Sequence, residues 1–302
     1  DGGTLAFSIS FDGFPTRLYA ASRNNRSGYT LSELERPDGV SVVGGTLGWR
    51  PGSRDLVFEG DSRARTRLYS LALGATGFAR SLTDGDVTVS DWAFDAAGNT
   101  LVVVSGALDS ADDLYRVRNG TLTRLTTINP QIDSWKLPSI ELVQWQAPDG
   151  TTVEGILELP PDWTPEDGPL PTVVEIHGGP TSATRYQLRF WIYGRTMLAS
   201  RGYALLSPNY RGSTGYGRGM YEDIDYGGLE VEDALAARDW AVKNHPRVEP
   251  KRVGILGWSH GGLITLMSLF RHPESYAVGF AGVPVSTRAA SLRTARVGSF
   301  SR

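Results

Sequence analysis

The sequence predicts partial β-propeller blades, all β, followed by an α/β part with a mostly parallel sheet and helices on both faces. Three observations carry that expectation. A turn-and-strand unit recurs three times before residue 135. Strands and helices alternate after residue 136. A serine framed by glycines joins an apolar strand to an apolar helix at residue 259.

The recurring unit comes first. Residues 1–7, 51–58 and 95–103 each run from a polar glycine turn into a short apolar strand. They are followed by Arg17-Leu18-Tyr19, Arg67-Leu68-Tyr69 and Asp113-Leu114-Tyr115, whose tyrosines stand 50 and 46 residues apart. Trp49 and Trp92 precede the second and third turns at matching places. Short strands repeating every ~40–50 residues mark propeller blades, with a plain antiparallel meander as the competing architecture. Three blades do not close a ring, which takes about four to eight, so the N-terminus reads as cut.

From residue 136 the pattern changes. Leu142 to Trp145 and Val153 to Leu159 read as strands joined by the turn Pro148-Asp149-Gly150. Pro160 to Pro171 is a proline-rich surface loop. Thr172 to Ile176 reads as a buried strand, Gln187 to Ser200 as a helix closed by Gly202, and Tyr203 to Ser207 as a strand. Leu229 to Asn244 reads as an amphipathic helix with Val231, Ala234, Leu235, Arg238 and Val242 on one face. Its early acids and late Lys243 suit the helix dipole. Alternation of this kind builds a parallel sheet between helices.

The chemistry concentrates in Gly257-Trp258-Ser259-His260-Gly261-Gly262, between Val253–Leu256 and Leu263–Phe270. A strand, a sharp glycine turn and a helix lift a serine hydroxyl out of a sheet as a nucleophile. Side chains two places either side of that serine would collide with the strand and helix, so Gly257 and Gly261 are required there. Ser259 is the candidate nucleophile, and the His260 N–H a candidate oxyanion donor. The His260 side chain is not assigned as base, because adjacent residues on a sharp turn point apart. His272, before Pro273, reads as helix-end capping. A tight strand–helix connection without chemistry is the bland alternative.

Two further loops follow strands. His177-Gly178-Gly179-Pro180 lets backbone N–H groups approach a substrate, with Gly179 as the second oxyanion donor. Asn209-Tyr210-Arg211-Gly212-Ser213-Thr214-Gly215-Tyr216-Gly217 fits a loop at the C-terminal edge of the sheet. Arg211 is expected to anchor it by pairing with a carboxylate. His177, Tyr210, Arg211, Tyr216 and Trp258 are the candidates for lining a pocket.

The three motifs, in this order after propeller repeats, resemble the prolyl oligopeptidase family of serine peptidases, in its acylaminoacyl-peptidase and dipeptidyl-peptidase branch. The resemblance extends to about Ser286. It implies a propeller that restricts access to a truncated α/β-hydrolase domain, so that only short peptides enter. By this resemblance Ser259 is the nucleophile, with Gly179 and His260 as backbone donors and no metal or cofactor. The family places an acid and then a histidine base after the nucleophile. Here 43 residues follow Ser259 without an aspartate, and Glu274 lies too close to the nucleophile helix to serve as the acid. The expectation is a chain inactive by itself. The domains read as 1–135 (about three blades), 136–286 (N-terminal part of the catalytic domain) and 287–302 (aberrant or disordered tail).

Composition excludes other classes. A net charge of −3 with scattered arginines makes no case for nucleic acid. No run has the length of a membrane span. There is no cysteine, and the four histidines lack zinc-protease spacing. A homo-oligomer is left open. So is the compartment, with cytoplasm favoured. An esterase and a non-catalytic binding protein are the rival functions. A glycoside hydrolase using Glu222, Asp223 or Asp225 is disfavoured, since acids before a helix are normally a solvated start. The tail carries four arginines between 287 and 302 and no acid, which suggests a shifted reading frame or a truncation. DNA sequence beyond codon 286 in all three frames checks this.

Overall fold

The computed structural model describes residues 3–10, 16–24, 28–74, 79–190, 195–244 and 248–285. The tail expected over 287–302 lies outside these residues. Contacts divide the chain into two units. The first holds Asp1–Trp135 together with Arg185–Arg189 and Thr214–Tyr221; the second holds Lys136–Thr184, Phe190–Ser213 and Glu222–Arg302.

The first unit is built of antiparallel meanders. Strands β1 (Thr4–Ile9), β2 (Arg17–Arg23) and β3 (Tyr29–Glu33) form one sheet. A second sheet holds β4 (Ser41–Trp49), β5 (Asp55–Ser62), β6 (Arg65–Ala72), β7 (Arg80–Ser81), β8 (Thr88–Phe94), β9 (Leu101–Gly106), β10 (Asp113–Arg118) and β11 (Thr121–Arg124). Its halves, β4–β7 and β8–β11, are joined through the bridge Thr66↔Thr88, and the chain after β7 bridges the β10–β11 turn at Thr83↔Gly120. The sequence repeat is therefore a structural repeat: β1–β2, β5–β6 and β9–β10 are equivalent hairpins. Their registers agree, with Phe7↔Tyr19, Phe58↔Tyr69 and Val103↔Tyr115 directly opposite. The first two pairs stack at 5.7 Å between ring centroids, as cross-strand aromatics do.

The β5–β6 hairpin is buried on both faces. Phe58, Tyr69 and Leu71 pack with Leu18, Val40 and Val42 on one face. Val57 and Leu68 pack with Val89, Leu101, Val103 and Val117 on the other. A hairpin with apolar residues of both parities sandwiched between neighbours is the packing of a propeller blade.

The second unit is an α/β sheet. Its strands are β12 (Ser139–Gln146), β13 (Thr152–Leu159), β14 (Leu170–Ile176), β15 (Ala204–Asn209), β16 (Val248–Trp258) and β17 (Val278–Gly282), in the order β12-β13-β15-β14-β16-β17. The β12–β13 and β13–β15 pairs are antiparallel; the remaining three pairs are parallel. Between them lie α1 (Arg195–Ser200), α2 (Arg218–Glu222), α3 (Leu229–Asn244) and α4 (His260–Arg271). After β14 the chain moves to β15 on one side and then to β16 on the other. That reversal is the switch point at which open α/β sheets bind ligands.

Two elements differ from the sequence reading. Of the helix expected over Gln187 to Ser200, Arg195–Ser200 is helical, residues 187–190 are not, and 191–194 lie outside the described residues. Arg185–Arg189 instead cluster with the first unit, where Leu188 donates its N–H to the Ala107 carbonyl. In α3 the buried face is Glu230, Val231, Asp233, Ala234, Ala237 and Ala241, while Leu235, Arg238 and Val242 are only half-buried. The face is rotated because two acids, read from sequence as a dipole-favoured helix start, are core residues.

Candidate active site

Three loops leave the C-terminal ends of the adjacent parallel strands β15, β14 and β16, and these loops are the three sequence motifs. Close approach of backbone fixes them. A Cβ on Gly257 would lie 2.3 Å from the Gly261 carbonyl oxygen, and one on Gly261 would lie 2.1 Å from that of Ile176. The start of α4 therefore rests on the end of β14, which only glycine allows. Ser259, between them, has φ 57° and ψ −117°, the strained backbone of a nucleophile turn. Its N–H donates to the Gly282 carbonyl (2.9 Å), so the turn is also held by β17. A Cβ on Gly178 would stand 3.4 Å from the Ser259 Cβ and 2.9 Å from the Trp258 oxygen. The glycine loop thus packs directly on the serine turn, and Gly179 follows with φ 133°.

Behind the turn is a stack of rings. His177 lies on Tyr210 (4.4 Å, 20° between planes), Tyr210 on His260 (6.0 Å, 28°), and Tyr226 meets His260 edge-on (5.4 Å, 86°). The stack ties together the ends of β14, β15 and β16. Tyr210 is fully buried and donates its hydroxyl to the His177 carbonyl (2.7 Å). His177 reaches Ser213 Oγ through Nε2 (3.0 Å) and the Gly178 oxygen through Nδ1 (2.8 Å). Asn209 accepts the Thr184 N–H and donates to the Thr184 carbonyl.

Arg211 is 1% exposed. Its guanidinium donates to both oxygens of Asp233 and to Asp149, and its own N–H donates to Asp233 Oδ2 at 2.8 Å. Tyr210 and Arg211 were candidates for lining a pocket; both are core, with their polar atoms engaged. Tyr216 sits in Thr214–Tyr221, which clusters with the first unit. Trp258 is half-buried against Phe280, ring centroids 5.8 Å apart.

Sequence reasoning missed Glu230, Asp233, Asp149, Ser213 and Tyr226. The only signal was acids at helix positions two and five, where dipole compensation is the ordinary account. Of the disfavoured acids, Asp225 accepts the Gly228 and Leu229 N–H groups (2.9 and 2.8 Å), capping α3. Asp225→Ala is expected to cost about 1 kcal/mol, read from the urea midpoint; an unchanged midpoint removes the capping role. His272 caps α4 through its N–H to Ser268. It lies a whole helix from Ser259, about 18 Å at the α-helical rise, and its ring faces Glu232.

Glu230 is fully buried, and burial, with Asp225 beside it, pushes its pKa up to about 7. Burial also takes the His260 imidazole down to about 4. Their atoms approach to 3.6 Å, but an imidazole so held is neutral, and the contact is not a salt bridge. The consequences for stability have opposite signs. Glu230 contributes stability present below its ordinary 4.5 and lost as pH rises through about 7. His260, with its pKa depressed from 6.5 to about 4, costs stability as pH falls through that interval. The two offset each other between 4.5 and 6.5, and the Glu230 loss stands alone near 7. Thermal unfolding is expected to show a fall from pH 6.5 to 8 that Glu230→Gln flattens; equal slopes in both proteins would refute it.

Among known proteins, residues 190–295 match the prolyl oligopeptidase family. Dipeptidyl aminopeptidase BIII of Pseudoxanthomonas mexicana is 33% identical over 292 residues, 92% of this chain and 41% of that protein. The human acylamino-acid-releasing enzyme is 30% identical over 264 residues, 81% of this chain and 34% of that protein. The chain thus spans well under half the length of these curated relatives. The solved acylaminoacyl peptidase of Pyrococcus horikoshii superposes with a TM-score of 0.77 at 19% identity, over 95% of this chain and 44% of that one. That likeness is one of fold, and it extends through both units. With the three motif loops at one switch point, these similarities show that the chain belongs to the prolyl oligopeptidase family.

Proposed function

We propose that this chain carries the nucleophile half of a serine peptidase acting on short peptides. Residues 136–286 form the catalytic part and 1–135 the blades that restrict access. The observation that supports it best is Ser259 at φ 57° between β16 and α4, with the Gly178 loop packed on it. In this reading Ser259 Oγ gives its proton to a histidine base and bonds to the substrate carbonyl carbon. The N–H groups of Gly179 and His260 take the oxyanion. The C–N bond then breaks as the amine accepts the proton, leaving an acyl-enzyme that water hydrolyses. The chemistry calls for no metal or cofactor.

Within residues 260–285 neither histidine suits the role of base: His260 is buried and neutral, and His272 caps the far end of α4. Turnover of peptidyl anilides by the 302-residue chain alone is therefore expected to be residual. A peptidyl boronic acid tests the site without needing turnover. Boron-11 NMR should report a tetrahedral adduct with the chain and trigonal boron with Ser259→Ala. Trigonal boron in both, or anilide hydrolysis indifferent to Ser259→Ala, would sink the reading.

A further inference from the structure

We infer that Glu230 is a positioning residue for the nucleophile turn, acting on Ser259 and the His260 N–H through the His260 imidazole. The inference deepens the peptidase reading and rests on it for its catalytic meaning. His260 gives its backbone to the proposed oxyanion site, yet its side chain runs inward, 3% exposed, to meet Glu230. Glu230 is fully buried near the start of α3. Its Oε1 accepts the Gly227 N–H (2.5 Å) and faces His260 Nε2 at 3.6 Å. Among the described residues, His260 Nε2 and Glu230 Oε2 are buried without a hydrogen-bond partner, Oε1 being the oxygen that faces Nε2, and Asp225 stands beside the carboxyl. Buried polar atoms without a partner are costly, and two of them at adjoining side chains call for an explanation.

The surroundings hold this pair rigidly. Tyr226 has φ 55°, unusual for an aromatic residue, and so presents its ring edge to His260. Tyr210 covers the other side of the imidazole. Strain at Tyr226 and strain at Ser259 are therefore linked through one imidazole, itself fixed by Glu230. The groups facing the pair are Asp225 and Tyr226 from the segment before α3, and Tyr210 from the loop after β15, with His177 stacked behind it. On α3 itself, Asp233 is committed to Arg211.

The coupling has a simple chemistry. An ionised Glu230 carboxylate favours the His260 tautomer with its proton on Nε2, where it can be donated. A protonated Glu230 removes that preference. Ionisation of Glu230 thus changes which nitrogen carries the proton while the imidazole stays neutral, and the change is felt by the backbone that holds Ser259.

Nitrogen-15 NMR of the histidine-labelled chain from pH 5 to 9 reads this directly. The ring shifts of His260 should report a change of tautomer, without imidazolium, with a midpoint near 7. Its backbone amide should move with the same midpoint. Glu230→Gln should abolish both changes, and Glu230→Asp should keep them at a displaced midpoint. If Glu230→Gln fails to fold, the wild-type titration and Glu230→Asp still carry the test. Ring and amide shifts flat across pH 6–8, or a titration surviving in Glu230→Gln, overturns the inference. Affinity for the peptidyl boronic acid should follow the same midpoint in the wild-type chain. Absence of any boron adduct alongside an intact His260 titration would remove the peptidase reading and keep the Glu230–His260 coupling.

Discussion

Replacing Arg211 by alanine is expected to cost about 3–5 kcal/mol of folding stability, the range for removing one partner of a buried ion pair. Arg211 and Asp233 are 1% and 0% exposed, and four hydrogen bonds run from Arg211 to that single carboxylate. Burial pushes the Asp233 carboxyl up, and the guanidinium opposes this. Without Arg211 the carboxyl is left desolvated inside α3, with neither water nor cation. Lysine is a poor substitute, since a single ammonium cannot reproduce the planar fork that holds both oxygens. The partners are not equivalent. The Asp149 side chain is 44% exposed, so Asp149→Asn should cost about 1 kcal/mol or less. Pairing Arg211→Met with Asp233→Leu should recover most of the loss, because an apolar pair leaves no buried charge. Urea unfolding midpoints at constant slope give the ranking. Arg211→Ala no more damaging than Asp149→Asn would show that the pair does not hold the loop.

The consequence reaches the site through the chain. Arg211 follows Tyr210, which lies between His177 and His260 in the ring stack. Freeing the loop after β15 releases the middle ring of the three, and with it the packing behind Ser259.

What the sequence could and could not reveal follows from the range of the interactions. The blades were legible because their signal is local and repeated: a glycine turn, an apolar strand and a tyrosine at a fixed place, which become hairpins of equal register. The serine turn was legible because steric exclusion of Cβ leaves glycines at fixed offsets from Ser259. The buried acids were not legible. Glu230 and Asp233 sit where dipole compensation already explains an acid, and only their partners, His260 and Arg211, reveal the second role. Those partners are 30 and 22 residues away, beyond any periodicity. The non-helical course of residues 187–190 was hidden for a similar reason. Tyr186 and Leu188 donate their N–H groups to Ala64 and Ala107, far along the chain, and these tertiary bonds override the helical pattern.

Gly261→Ala tests the serine turn from the opposite side, because two effects of opposite sign compete there. Gly261 lies in α4, where alanine is favoured over glycine by about 1 kcal/mol. Propensity alone would make the variant more stable. The contact outweighs it. The added Cβ would stand 2.1 Å from the Ile176 oxygen and 2.8 Å from the His177 oxygen. Both belong to backbone, and Ile176 is the last residue of β14, paired in register with Gly257. Neither can swing aside as a side chain would. Overpacking costs roughly 1–3 kcal/mol even where side chains can adjust, so a net loss of about 2 kcal/mol or more is expected. Gly257→Ala should behave alike, its Cβ falling 2.3 Å from the Gly261 oxygen. Gly219→Ala in α2 is the control: nothing lies within 4 Å of its Cβ, and it should be neutral or gain up to about 1 kcal/mol. Relief of the clash has one cheap direction, lifting α4 away from β14, which would carry Ser259 and the His260 N–H with it. The variants at 257 and 261 should therefore also lose the tetrahedral boron signal under conditions where they remain folded. A Gly261→Ala chain as stable as the wild type and still forming that adduct would show that α4 can move without disturbing the nucleophile.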